Sequence, residues 1–126
     1  ALRLSVNTFE TAVLINSESF FDFKPLPNYA QFSSTNDIII QDFNNDNIND
    51  IVLVGNMYHA EIETTRNDSG NGLLLQGIGN GDFKEISVSK SGFFAPGDSK
   101  KIISLKSKND NLLIIANNDD RLQIFK

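Results

Sequence analysis

The stretch Asp42-Phe43-Asn44-Asn45-Asp46-Asn47-Ile48-Asn49-Asp50-Ile51-Val52-Leu53-Val54-Gly55 decides how this chain is read. Residues 51–54 form an uninterrupted aliphatic run rich in β-branched side chains, which favours a buried strand. A similar run, Ile38-Ile39-Ile40, stands just ahead, and the polar, acidic segment 41–50 joins the two. The unit therefore reads strand, loop, strand. No stretch carries a convincing 3.6-residue period, so no long helix is expected, and residues 58–67 have room for a short helical turn at most.

Working outward, a long polar connection (56–71) leads to a third apolar run at 73–78. Gly79-Asn80-Gly81-Asp82 has the Asn-Gly chemistry of a tight hairpin turn, and residues 83–88 follow as an outer strand. Parts of this unit recur. Asp22-Phe23-Lys24 returns as Asp82-Phe83-Lys84, offset by 60. Thr11-Ala12-Val13-Leu14-Ile15 matches Gly72-Leu73-Leu74-Leu75-Gln76, offset by 61. Residues 51–56 match Leu112-Leu113-Ile114-Ile115-Ala116-Asn117, again offset by 61, and Ile38-Ile39 matches Ile102-Ile103, offset by 64.

Serial four-stranded antiparallel units are the blade pattern of a β-propeller, so the expected fold is all-β. Residues 8–27 supply the outer strands of one blade, with the alternating segment 2–6 before them. Residues 36–89 supply a full blade, and residues 100–126 supply three strands of a last one. Propellers close with about 4 to 8 blades, so this is a partial or open propeller of about two and a fraction blades. It is expected to belong to a larger propeller, to pack as an open sandwich-like pair, or to self-associate.

Composition narrows the partners. The chain has 126 residues, a formal net charge of −5 and no cysteine, which excludes disulfides, thiolate metal sites and thiol catalysis. The acidic balance offers no basic footprint for nucleic acid. No apolar run is long enough for a transmembrane helix. Ile (14) and Phe (10) far outnumber Ala (6), which favours strands, and the 16 asparagines favour turns. No signal peptide opens the chain, which begins Ala1-Leu2-Arg3-Leu4.

The loop itself carries chemistry. Side-chain oxygens fall at positions 1, 3, 5 and 9: Asp42, Asn44, Asp46 and Asp50. Position 7, Ile48, would add its backbone carbonyl. This hard-oxygen set suits one Ca²⁺, which takes six to eight such ligands, and it lacks the His and Cys that softer metals prefer. An EF-hand is excluded, because position 6 is Asn47, position 12 is Leu53, and strand follows directly. The competing reading is an Asn/Asp-rich turn that binds nothing. The corresponding turn of the last unit, Lys106-Ser107-Lys108-Asn109-Asp110-Asn111, places lysines at the first acidic positions, so a single calcium site is expected.

Residues 42–50 followed by 51–55 resemble the cation-binding repeat of FG-GAP/VCBS propellers, the type found in integrin α heads and bacterial surface proteins. Further residues extend the resemblance to the C-terminal end of Bacteroidetes VCBS-repeat proteins of the ASPIC/UnbV type. They include Leu26-Pro27, Ala30-Gln31-Phe32-Ser33, Gly55-Asn56, Tyr58, Ser91-Gly92-Phe93-Phe94 and Leu122-Gln123-Ile124-Phe125-Lys126. The resemblance implies propeller blades and an extracellular, periplasmic or outer-membrane surface setting, with an export or lipoprotein signal upstream. It also implies adhesion or binding of a glycan or protein ligand. Asn45 and Asn47 stand where the family commonly has glycine, and Asn tolerates the left-handed backbone such positions need.

The connection 56–71 is a second candidate site, with Tyr58 as an aromatic platform and Arg66 to grip a carboxylate. Glu61, Glu63 and Asp68 are either part of that surface or internal partners for Arg66. Catalysis is the alternative reading: a polysaccharide lyase using Tyr58, His59 and Arg66, or a hydrolase using Glu61 and Glu63. In a strand that last pair would lie on one face about 6.5 Å apart. The expected function is non-enzymatic binding.

Overall fold

The structure, a computed structural model, describes residues 2–106 and 110–126. It is all-β, with three antiparallel sheets in chain order. The first holds β1 (Ala12–Ser17) and β2 (Phe20–Pro25). The second holds β3 (Thr35–Gln41), β4 (Asp50–Gly55), β5 (Leu73–Gly79) and β6 (Asp82–Ile86). The third holds β7 (Ser99–Lys106), β8 (Asn111–Asn117) and β9 (Gln123–Phe125). Among the described residues helix is confined to a 3₁₀ turn at Asn28–Gln31 and one α-turn, α1, at Val88–Ser91. No helix among the described residues is long and apolar enough to cross a membrane.

Strand order within each sheet follows chain order, so every pairing is a local meander. The β5–β6 turn has Asn80 at φ 54 and Gly81 at φ 75, as an Asn-Gly hairpin requires. The outer strand stops at Ile86, because Ser87 opens α1 and takes Val88 out of the sheet. Residues 2–6, despite their alternation, form no strand and are exposed.

The sheets stack face to face, and β4 explains why its sequence is apolar without alternation: residues 50–54 are all buried. Its odd residues Ile51 and Leu53 join Leu26, Ala30 and Leu75 in one core, against which Val13 and Phe83 pack. Its even residues Val52 and Val54 join Phe93, Ala95, Ile102 and Ile115 in another, with Ile39, Leu74 and Phe125 against them. We call these the front and back faces of the second sheet. The first sheet covers the front and the third covers the back.

The strands β3 and β7 lie side by side. Asn36 Nδ2 donates to the Ser99 carbonyl (2.8 Å), and Asp37 accepts the Ile102 amide (2.8 Å) and the Lys101 ammonium (3.0 Å). Burial pushes the Asp37 carboxyl up, but those two donors and the Ile38 amide hold it below the usual carboxylate range. On the front, Lys24 of β2 reaches Asp82 (3.0 Å) and the Asn80 carbonyl (2.6 Å).

The structural repeat differs from the sequence match in two places: at β2 and β6, where the Ser17–Phe20 and Gly79–Asp82 turns make Phe21 rather than Phe23 the counterpart of Phe83, an offset of 62 rather than 60, and by one residue at β4 and β8. Each inner strand pair has a register shift, between Thr35 and Asp37 opposite Gly55 and Val54, and between Ser99 and Lys101 opposite Asn117 and Ala116. The Asn56 amide donates to the Ser34 carbonyl (3.1 Å), as the Asn118 amide does to the Asp98 carbonyl (2.9 Å). Val54 therefore corresponds to Ala116 and Asn56 to Asn118, an offset of 62 rather than 61. In a strand that single residue exchanges the two faces. With the correct register, Ile51 and Leu53 correspond to Leu113 and Ile115, and all four lie on the fronts of their sheets.

Candidate metal centre

Residues 42–49 leave β3 and return into β4. Asn45 (φ 61) and Asn47 (φ 67) adopt the left-handed backbone and curl the loop around its own side chains. The Asp42 carboxylate accepts the amides of Asp46 (3.2 Å) and Asn47 (2.9 Å). Asn44 Oδ1 accepts the Asp46 amide (2.9 Å), and Asp46 Oδ1 accepts the Ile48 amide (2.8 Å). The Asn44 side-chain amide, with the Ile48 amide, holds the Asp46 carboxyl below the usual carboxylate range.

Asp50 sits at the base of the loop, buried. Its Oδ2 accepts the Phe43 amide (3.0 Å) and its Oδ1 the Gly77 amide (2.9 Å). The structure thus gathers Asp42, Asn44 and Asp46 inside the curl, while Asp50 braces the curl against β5. Among the described residues no three carboxylate or imidazole groups converge into a metal cage. The chemistry of the donor set still fits a hard cation. Each carboxylate oxygen has a second lone pair, and Asn44 Nδ2 already places a donor 2.8 Å from Asp46 Oδ2, where a positive charge is favoured. Ile48 Cγ2 lies against Gly77 and pins the loop's last turn. In the last unit, Ser107, Lys108 and Asn109 lie outside the described residues, and Asp110 pairs with Lys126 (3.0 Å).

The connection after β4 closes on itself. Met57 bridges Asn67, and the Thr64 amide donates to the Glu61 carbonyl (2.9 Å). Glu61 and Glu63 therefore stand in and beside a turn rather than along one strand face. Arg66 grips Asp68 through Nε (2.8 Å) and Nη2 (2.7 Å) and lies 4.3 Å above the Tyr58 ring. The Tyr58 hydroxyl donates to the Pro96 carbonyl (2.8 Å). Beside it, a cleft of about 260 Å³ opens between Tyr58, Gly97, Asn117, Asp120 and Arg121. A groove of about 340 Å³ lies at the other end of β4 from the metal loop, between Tyr29, Phe32, Gly70 and Val88.

Sequence reasoning missed the polar network that organises this end. Asn56 is buried, at φ 80. Its Oδ1 accepts the Ser33 hydroxyl (2.6 Å) and the Gly70 amide (2.8 Å). Its Nδ2 donates to the carbonyls of Gly70 (2.8 Å), Pro96 (2.9 Å) and Gly97 (3.0 Å). Asp98, also buried, meets Lys100, Asn118 (3.4 Å) and the exposed His59 (3.7 Å). Burial raises the Asp98 carboxyl, but Lys100, Asn118 and the Tyr58 amide outweigh it and hold the group below the usual range. The one available signal was a polar Asn directly after an apolar strand, which is also how a loop begins.

No family model, no curated protein and no solved structure matches this chain.

Proposed function

We propose that the chain is a non-enzymatic, calcium-stabilised segment of an FG-GAP/VCBS-type β-propeller from a secreted or cell-envelope protein, acting in adhesion or in binding a glycan or protein ligand. The three sheets are read as consecutive blades, the first represented by its outer strands and the last by three. The observation that carries the proposal is the loop between β3 and β4. Nine residues place Asp42, Asn44, Asp46 and Asp50 at alternating positions, and the first three turn their oxygens into one curl. Calcium would be held by these side chains with the Ile48 carbonyl, and bound there it would supply the positive charge that the gathered carboxylates need. The chain's own contribution is to hold the curl, through Asn45, Asn47 and the Asp50 brace.

The connection 56–71 is closed by its own contacts, which favours the internal-partner reading of Arg66 over either a ligand grip or a lyase role, so the metal loop carries the proposal. Arg66 is occupied by Asp68 and the Tyr58 hydroxyl by Pro96, so these groups are already engaged within the chain. Thermal melting with calcium and with EGTA tests the metal. A ligand that binds only the native state raises Tm by mass action. The wild type is expected to melt higher in calcium and Asp46→Ala to lose the difference. No shift in the wild type, or an equal shift in Asp46→Ala, would remove calcium from the reading.

A further inference from the structure

The sequence contains the tripeptide Gly-Asn-Gly twice, at residues 70–72 and 79–81, and these hold its only two Asn-Gly steps. The fold puts them in opposite settings. The Asn71 carbonyl accepts the Ala95 amide (2.7 Å). Gly72, at φ 71, is wedged where a Cβ would fall 2.7 Å from the Phe93 ring and 3.0 Å from the Ala95 side chain. Neutral, packed neighbours therefore fix that step. Asn80 instead sits exposed at the tip of the β5–β6 hairpin. It lies in a run of positive φ through Gly79 (91), Asn80 (54) and Gly81 (75).

The Asn80 carbonyl accepts an ammonium rather than an amide. Lys24 Nζ stands 2.6 Å from the Asn80 oxygen and is held there by Asp82 (3.0 Å). The Lys24 side chain is 27% exposed, so water and salt screen its charge only in part. The Asn80 carbonyl and the Gly81 N–H belong to one peptide unit, whose atoms share electrons by resonance. A cation on the oxygen draws electron density from that unit, makes the N–H more acidic and stabilises the anion left when the proton goes. The deprotonated nitrogen is a nucleophile within reach of the Asn80 side chain. With no side chain at 81, nothing shields it.

We propose that Asn80 is a self-modification site, at which Lys24 promotes loss of ammonia and conversion of Asn80 to aspartate and isoaspartate. Hydroxide takes the Gly81 N–H proton, and the nitrogen bonds to Asn80 Cγ. The Cγ–Nδ2 bond breaks, and the side-chain nitrogen leaves as ammonia with a proton from water, which restores the hydroxide. The resulting succinimide is opened by water. Opening at Cγ gives aspartate, and opening at the main-chain carbonyl gives isoaspartate. Either product adds one negative charge to the −5 of the chain. The iso product also adds a methylene to the backbone of the turn. Lys24 acts as a fixed cation and is not consumed. None of this depends on calcium.

Incubation of the folded protein at mildly alkaline pH in EGTA, followed by peptide mass spectrometry that resolves isoaspartate, tests it. Asn80 is expected to convert faster than Asn71 by about tenfold or more. Lys24→Met is expected to slow Asn80 by about tenfold, as loss of one partly screened charge predicts, and to leave Asn71 unchanged. Lys24→Arg keeps the cation and should restore most of the rate. A purely structural role for Lys24 predicts the opposite sign, since a loosened turn reacts faster. In urea the two identical tripeptides are expected to react within about twofold of each other. A folded-state rate at Asn80 no higher than at Asn71 overturns the proposal. So does an unchanged or faster rate in Lys24→Met, or selectivity that persists in urea. Far-UV circular dichroism confirms that each variant is folded. If Lys24→Met is not, Asp82→Asn, which releases the ammonium from its tether, replaces it with the same expected slowing.

Discussion

The Gly77 amide donates to the Asp50 carboxylate at 2.9 Å, tying the base of the β3–β4 loop to β5, and only a residue without a side chain permits it. A Cβ at 77 would fall 2.3 Å from the Asn49 carbonyl oxygen and 2.7 Å from the Ile48 side chain. The loop's closing carboxylate and this glycine are thus one device, separated by 27 residues in the chain.

Gly77→Ala is expected to lower stability by about 2–3 kcal/mol, since backbone must move and a buried carboxylate bond weakens. Urea denaturation in EGTA measures it as a lower midpoint at unchanged slope. A change within about 0.5 kcal/mol would show that the loop and β5 do not constrain each other.

Asn56→Ala removes five side-chain hydrogen bonds and leaves the Gly70, Pro96 and Gly97 carbonyls facing an apolar methyl. The expected loss is about 3 kcal/mol or more. Asn56→Gly suits the positive φ better and should be less damaging than Ala by about 1 kcal/mol, although it loses the same bonds. Equal effects of the two would mean that backbone conformation at 56 carries no strain.

Asn45 and Asn47 make the reverse prediction. Both already sit at positive φ, so Asn45→Gly and Asn47→Gly are expected to stay within about 0.5 kcal/mol of wild type, while either alanine variant costs about 1 kcal/mol. Paired thermal melts without calcium provide the check.

Acid should loosen the stack at defined places. Asp37 and Asp98 have native proton affinities below the ordinary carboxylate value, so the unfolded chain binds more protons. Their contribution is complete above the unfolded pKa, near about 3.9, and is lost as pH falls through the lower native values. Denaturation at a series of pH values from neutral to about 2 is expected to show a steep fall below about 4. Asp37→Asn should flatten that fall while weakening the protein at neutral pH, because the Lys101 pair is gone.

Much of the architecture is legible in the residues. The run 51–54, the Asn80-Gly81 turn and the acidic loop announce themselves through local chemistry, which needs no knowledge of distant contacts. The repeat is legible too, but not its register at β6 or at β8. Leu112-Leu113-Ile114-Ile115 matches Ile51-Val52-Leu53-Val54 equally well when slid by one, because every position is aliphatic. The register shifts beside Ser99 and Thr35 decide it, and they are backbone events. Arg66 offered three acidic partners nearby, and only folding of the 57–67 bridge selects Asp68. The Asn56 network was hidden because its partners lie 14 to 41 residues away.

The strand β4 belongs to both cores at once, through Ile51 and Leu53 on one side and Val52 and Val54 on the other. That makes the molecule a linear series of coupled layers, in which the terminal layers communicate through the middle one. Amide hydrogen exchange should reflect that order. The β4 amides are expected to exchange only with global unfolding, while the two-stranded layer β1–β2 and the short edge β9 open in separate, lower-energy events.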